Sequence, residues 1–192
     1  MEARRQSLDV IAITPHNATL AGKVGQWFAR RIGGPTVLVG EEIHAPGYHL
    51  IAVGIHSSIS WRLNSAAAID QVHKQGRIAI AAHPVAQSWP AFDTEAMRTL
   101  DAAEVLQPIA YSSPAASDQV RQFYERRRLT AIGSSDYHGL GPLGLCRTYV
   151  FAREQTEMES WTPCAQDARW CLTAIALTAT RRWCGSPSRT GG

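Results

Sequence analysis

The sequence predicts an α/β fold with a mainly parallel β-sheet. Short, nearly continuous apolar runs rich in β-branched residues, such as LDVIAIT at 8–14, are typical of strands buried on both faces. These runs alternate with amphipathic segments of helical length that end at glycine or proline. Strands that alternate with helices in this way specify βαβ units and therefore a parallel sheet.

The elements follow one another along most of the chain. In residues 18–32, for example, Leu20, Val24, Phe28 and Ile32 recur every four positions, which predicts an amphipathic helix that ends at Gly33. Strands are predicted at 8–14, 36–39, 49–55, 77–82, 102–106 and from Leu129 onward, and helices at 18–32, 64–76, 93–100 and 115–128.

Composition narrows the class of protein. The chain has 192 residues, 45% of them apolar and 18% charged, which suits one globular domain with a sizeable core. The net charge is +3, and the only basic block is RRR at 126–128, so we expect no nucleic acid as the main partner. The N-terminus is polar and no apolar run approaches the ~20 residues that span a bilayer, so we expect no membrane partner and a cytoplasmic protein.

Ionisable side chains fall repeatedly at the ends of the predicted strands. Five of them lie at or just past such an end, namely His16, Glu42, His83, Asp136 and His138. In parallel α/β folds the carboxyl ends of the strands meet at one rim, where active sites are built. Imidazole and carboxylate groups gathered there suit Zn²⁺, Mn²⁺ or Fe. The sequence therefore predicts a metal site at this rim.

Each of these residues also has a structural interpretation. A lone histidine is usually a surface residue or a satisfied core residue, and Glu41 and Glu42 would fit a solvated turn. The coincidence of all five with strand ends favours the metal site. No GxSxG, P-loop or cysteine-centred nucleophile motif is present, which agrees with chemistry that needs no side-chain nucleophile.

Several motifs in this order resemble one family. LDVIAITPHN, VGEEIHAPGYHLIAVGI, IAIAAHP, AAEV and AIGSSDYH followed by LG and TYV are similar to the small stand-alone members of the polymerase and histidinol phosphatase (PHP) superfamily of metal-dependent phosphoesterases, including the carbamate-cleaving branch. The resemblance covers about residues 8–152. It implies a distorted seven-stranded (β/α)7 TIM-like barrel, with a PHP-like domain at 1–152 and an atypical tail at 153–192.

The resemblance also implies a set of metal ligands for one to three ions. Carried over residue by residue, the ligands are His16, Glu42, His49, His83, Asp136 and His138. Glu104 is implied either as a ligand or as a residue that orients one. Two departures weaken the set: Pro15 stands where the family has an aspartate, and the opening strand with its His-x-His pair is missing. The resemblance therefore implies an N-terminally truncated member with impaired activity.

The implied reaction is attack of metal-bound hydroxide on a small-molecule phosphate ester. His49 or His138 would protonate the leaving group, and Arg147 would hold a substrate oxygen or else form an ordinary ion pair. Two alternatives stay open. One is a metal-dependent hydrolase of a carbamate, ester or amide, and the other is a non-catalytic remnant of the family.

Overall fold

The strands of the computed structural model form one sheet in which each strand pairs with its neighbours in sequence. The structure describes residues 2–85, 87–126, 129–139 and 143–150, so the predicted tail at 153–192 lies outside the described residues. The strands are β1 (Val10–Ile13), β2 (Thr36–Ala45), β3 (Tyr48–Val53), β4 (Ile78–Ala81), β5 (Ala102–Leu106) and β6 (Thr130–Gly133).

Helices connect most of the strands, as the sequence predicts. They are α1 (Glu2–Arg5), α2 (Leu20–Arg31), α3 (Ser65–Lys74), α4 (Thr94–Thr99) and α5 (Pro114–Glu125), with a 3-10 turn at Pro108–Tyr111. Side chains cap three of them: Asn64, Asp93 and Ser113 each accept a hydrogen bond from a backbone N–H in the first turn of α3, α4 and α5. These caps satisfy N–H groups that have no partner within the helix.

The sheet is mixed, and the prediction of a mainly parallel sheet is wrong for its centre. β2–β3 and β3–β4 are antiparallel, whereas β1–β2, β4–β5 and β5–β6 are parallel. The reversal occurs at Pro46-Gly47, where Gly47 has φ +83°, a backbone conformation that proline followed by glycine favours in a tight turn. β2 also runs to Ala45 instead of ending at Val39, so Glu42 lies inside the strand.

The sheet curls, so that its two edges approach each other. The His16 ring, just past β1, lies 5.9 Å from the His138 ring, which follows β6. Beside β6, Thr148 Oγ1 accepts a hydrogen bond from Gly133 N–H at 2.9 Å. Arg147 Nη1 donates to the carbonyl of Gln6, which precedes β1, at 3.0 Å. The result is a mixed α/β fold with a curled half-barrel sheet, and closure into a seven-stranded barrel stays a prediction.

The two faces of the sheet carry different residues. Ile43, Leu50 and Ala79 face the main core, which includes Ile69 of α3 and Phe123 of α5. The opposite, inner face carries a smaller apolar cluster of Val53, Ile78, Ile80 and Ala102. Because side chains alternate along a strand, the neighbours of the main-core residues on β2 and β3 point to this inner face.

Helix α2 forms as predicted, but its apolar stripe faces outward. Leu20 is 71% exposed and Val24 and Phe28 are about half exposed, whereas Gly22 and Ala29 are buried. A Cβ on Gly22 would lie 3.1 Å from the Ile13 carbonyl oxygen, so the helix packs on β1 and β2 through its small residues. The helix backbone can approach the strands this closely only where its side chains are small, so the face with Gly22 and Ala29 is buried. The apolar periodicity of the sequence does not reveal this.

Candidate metal centre

The β2–β3 hairpin presents three ionisable side chains on the inner face. Glu42 and His44 are two residues apart on β2 and therefore point to the same side. His44 is paired directly opposite His49 of β3, and their ring centroids are 3.8 Å apart. The antiparallel turn thus brings His49, at the start of its strand, beside Glu42.

The Glu42 carboxylate lies at the centre of the cluster. Its Oε1 is 3.2 Å from His49 Nδ1 and 3.3 Å from His83 Nε2, and its Oε2 is 3.6 Å from His16 Nε2. Glu42 Oε1 and His49 Nδ1 are both buried, and neither makes a hydrogen bond of acceptable geometry within the described residues. Buried polar atoms without partners are costly, so a pair of them side by side needs an explanation.

A cation bound between these atoms would give that explanation. Nitrogen and oxygen ligands at tetrahedral positions around zinc are about 3.3 Å from each other. The separations of 3.2 and 3.3 Å between Glu42 Oε1 and the two imidazole nitrogens match this spacing. The donor set of Glu42, His49 and His83 fits a divalent metal in both chemistry and spacing.

His83 is held in place by two contacts, one to its backbone and one to its ring. Its backbone N–H donates to Glu104 Oε2 at 2.8 Å, and its Nδ1 lies 3.0 Å from Ser88 Oγ. With Nδ1 bonded to Ser88, Nε2 is left facing Glu42. His83 has φ +20°, which is uncommon for a residue with a side chain, and the contact with Glu104 stabilises this backbone.

Glu104 is buried inside β5, where the sequence places it. Besides the His83 N–H, its carboxylate accepts a hydrogen bond from the Ser134 hydroxyl. Burial raises the pKa of Glu104, although both hydrogen bonds act in the opposite direction. These contacts favour the orienting role over direct ligation, and within the described residues Glu104 belongs to neither ligand group.

A second group of ligands shares Glu42 and lies nearer to solvent. His16, Glu42 and His44 each offer one ligand atom, and these atoms lie within 4.8 Å of one another. The side chain of Asn17 holds the backbone of His44 in place. Asn17 Oδ1 accepts the His44 N–H at 2.9 Å, and Asn17 Nδ2 donates to the His44 carbonyl at 3.3 Å. The sequence reasoning missed His44, although its spacing of two from Glu42 in a strand was the available signal.

Asp136 and His138 lie at the same rim but outside both groups. His138 Nδ1 is 3.0 Å from the Asp136 carbonyl oxygen and 3.5 Å from Asp136 Oδ1. The backbone is not extended here: β6 ends at Gly133, and Asp136 has φ +44°. Their ligation of a metal stays a prediction.

Arg147 makes only backbone contacts among the hydrogen bonds described for it. Its Nε donates to the Gly144 carbonyl and its Nη1 to the Gln6 carbonyl, both at 3.0 Å. These bonds join the segment after β6 to the segment before β1. The predicted role of Arg147 toward a substrate oxygen stays a prediction.

Within the cluster, the imidazoles favour the ionised form of Glu42, and Glu42 favours the protonated form of His83. Burial acts to raise the pKa of Glu42, but the nearby imidazoles of His49, His83 and His16 outweigh it and hold the pKa well below the usual range. Burial acts to lower the pKa of His83, yet Glu42 raises it, with smaller contributions from Glu104 and Asp136. Burial and the neighbouring histidines lower the pKa of His44. Glu42 is therefore an ionised, poorly hydrated carboxylate, which is an effective ligand for a cation.

Comparison with known proteins supports the fold. A crystal structure of a putative metal-dependent phosphoesterase from Bifidobacterium adolescentis is similar with a TM-score of 0.55 and 15% sequence identity, over 76% of this chain and 84% of that chain. At this identity the likeness shows the fold alone, a mixed α/β fold.

Sequence comparison reaches a shorter part of the chain. The uncharacterized protein MJ1587 of Methanocaldococcus jannaschii is 32% identical over 82 residues, which are 43% of this chain and 47% of that protein. The chain thus spans about half the length of this relative. No protein-family model matches. Among the described residues, no helix combines the length and apolar character needed to traverse a bilayer.

Proposed function

We propose that this protein is a metal-dependent hydrolase of the PHP superfamily that cleaves a small-molecule phosphate ester. One observation carries the proposal: the buried Glu42 carboxylate has Oε1 beside the nitrogens of His49 and His83 and Oε2 beside that of His16. The similar fold of a protein described as a metal-dependent phosphoesterase supports the same conclusion.

In this proposal Glu42, His49 and His83 hold a cation, and His16 is a ligand on the Oε2 side of Glu42. We assign Asp136 as a further ligand because the motif that contains it, SSDYH, resembles a ligand motif of the family. A divalent cation at this position would lower the pKa of a water molecule and neutralise charge on the phosphoryl oxygens. Glu104 and Ser88 act through His83, whose ring and backbone they orient.

His138 is the candidate for the proton donor to the leaving group. Its side chain is exposed at the rim, whereas His49 is largely buried and has Nδ1 against Glu42. The contact with Asp136 engages His138 Nδ1, so Nε2 is the atom that we assign to proton transfer. A cation held opposite an imidazole at the rim suits an ester whose leaving oxygen needs a proton.

The first test is the metal content of the whole chain, purified without an affinity-tag metal column and measured by mass spectrometry. We expect about one or more transition-metal ions per chain, lost in His83→Ala and reduced in Asp136→Ala. His56→Ala is the matched control, because His56 lies in an exposed loop and belongs to neither ligand group. A metal-free wild type, or a His83→Ala variant that keeps its full metal content, would overturn the proposed centre.

The second test is a substrate panel with added Mn²⁺, Zn²⁺ or Fe²⁺. We expect hydrolysis of phosphate monoesters or diesters and a loss of rate in His138→Ala at unchanged metal content. Hydrolysis of carboxylate esters or carbamates alone would replace the phosphoesterase assignment with the other hydrolase class. A metal-loaded protein with no turnover on either panel would contradict catalysis.

A further inference from the structure

We propose that His44 is a metal ligand and that, with His16 and Glu42, it forms an outer cation position next to the one formed by Glu42, His49 and His83. This inference rests on the proposed metal centre and adds to it a ligand, His44, that the sequence motifs do not predict. The occupant is a divalent cation that accepts imidazole and carboxylate ligands, such as Mn²⁺ or Zn²⁺.

The two oxygens of Glu42 point to different groups of imidazoles. Oε1 lies within 3.3 Å of nitrogens of both His49 and His83, whereas Oε2 is the oxygen that lies 3.6 Å from His16 Nε2. Each side of the carboxylate therefore has its own pair of histidines, with His16 and His44 forming the outer pair. Two imidazoles and one carboxylate oxygen are a donor set that proteins use for zinc and for iron.

The backbone holds the outer ligands in place before any cation binds. His16 forms an isolated parallel bridge with Glu42, which fixes its position beside β2. Asn17 binds both the N–H and the carbonyl of His44 with its side-chain amide. Asn17 itself has φ +51°, a left-handed conformation that asparagine tolerates better than most residues. Such fixed positions reduce the entropy that ligands lose on binding.

Exposure distinguishes the two positions. The Glu42, His49 and His83 side chains are 5%, 14% and 10% exposed, whereas the His16 side chain is 48% exposed. Water competes with ligands and screens charge more strongly at an exposed site. The outer position therefore binds its cation more weakly than the inner position and exchanges it more readily.

A packing role for His44 is the competing explanation. Its ring lies 3.8 Å from the His49 ring and 4.9 Å from the His16 ring, so it would also orient both by contact alone. His44→Phe separates these roles, because phenylalanine keeps an aromatic ring of similar size and offers no ligand atom. His44→Gln is a second variant that avoids an added exposed aromatic ring, and the bonds from Asn17 go to backbone atoms that both variants retain.

The experiment counts Mn²⁺ bound per chain, by electron paramagnetic resonance of the free ion, as the whole protein is titrated. Mn²⁺ is the probe because it binds imidazole and carboxylate ligands in preference to the sulfur of cysteine. We expect two steps for the wild type and for the control His56→Phe. We expect loss of the weaker step alone in His44→Phe and His44→Gln, and loss of the tighter step in His83→Ala.

Two steps that survive in both His44 variants would overturn the assignment of His44, and so would a single step in the wild type. In either case the inner position and the proposed function would stand. A wild type that binds no Mn²⁺, Zn²⁺ or Fe²⁺ would instead contradict the proposed function itself.

Discussion

The rings of His44 and His49 lie against each other across the β2–β3 pair, with their centroids 3.8 Å apart and their planes tilted by 40°. Two protonated imidazoles at directly opposed positions would repel each other. The arrangement is therefore stable when the rings are neutral or when their nitrogens bind a metal ion. Burial and the neighbouring histidines lower the pKa of His44, which disfavours the protonated form of its ring.

Replacing Glu42 by glutamine is expected to abolish metal binding at both positions, because it removes the one ionised group that the two ligand groups share. Glu41→Gln is the matched control. Glu41 is buried on the other face of β2, where the Ser58 hydroxyl and the Ile59 N–H donate to it. Metal content by mass spectrometry should fall at least tenfold for Glu42→Gln and stay unchanged for Glu41→Gln. The opposite ranking would contradict the central role of Glu42.

Glu104→Gln is expected to retain the metal, whereas Glu104→Ala is expected to weaken both metal binding and the fold. A glutamine carbonyl still accepts the His83 N–H, and its amide donates to Ser134 Oγ. Alanine leaves the His83 N–H without its acceptor and opens a cavity, at a cost of about 2–4 kcal/mol in the free energy of unfolding. Urea unfolding and metal counts check both variants. Metal loss in Glu104→Gln at unchanged stability would instead indicate a direct ligand.

The pair of His73 and Asp101 is expected to make stability depend on pH. His73 Nε2 lies 2.9 Å from Asp101 Oδ2, and this hydrogen bond raises the pKa of His73 in the folded state. The stabilisation is therefore complete below the unfolded-state pKa of about 6.5 and is lost as the pH rises through the higher folded-state pKa. Both side chains are partly exposed, so the contribution is small.

The measurement is urea unfolding of the wild type and of His73→Gln at several pH values. The difference in unfolding free energy between them should shrink from about pH 5 to about pH 9. His56→Gln is the control, since its exposed loop position gives it no such partner among the described residues. A difference that is constant or grows with pH would refute the role of the pair.

Gly133→Ala is expected to destabilise the fold by about 2 kcal/mol through overpacking. A Cβ at Gly133 would lie 2.5 Å from the Arg147 carbonyl oxygen, so the segment after β6 would have to move away from the strand. Because Arg147 also binds the Gln6 carbonyl, the link between the two edges of the curled sheet would weaken. A free energy of unfolding within about 0.5 kcal/mol of the wild type would show that the segment adapts.

Much of the fold could be predicted from local patterns, because apolar runs and caps act over a few residues. The residues Ala102–Leu106 form a strand with the predicted bounds. The full length of β2 could not be predicted. Two adjacent glutamates, Glu41 and Glu42, are typical of a polar turn, and only their partners on other elements explain their burial in a strand. The antiparallel direction of β3 depends on how it pairs across the turn, which apolar runs do not specify.

The candidate site likewise contains residues that could be predicted from the sequence and residues that could not. His16 and His83 lie just past β1 and β4, as strand-end reasoning predicts. His44 escapes that reasoning because its place in the cluster depends on the strand continuing beyond Val39. The role of Glu104 depends on its contacts with His83 and Ser134, which are distant in sequence and come together only through the pairing of β5 with its neighbours.

Three of the potential ligands, Glu42, His44 and His49, belong to a single hairpin. Closing so short a loop costs little chain entropy, so the hairpin acts as a local chelator that needs few distant contacts. An incompletely folded chain would then keep part of its affinity for the cation. Since a ligand stabilises a fold only by the difference between its affinities for the folded and unfolded states, metal should raise the melting temperature less than its binding strength suggests.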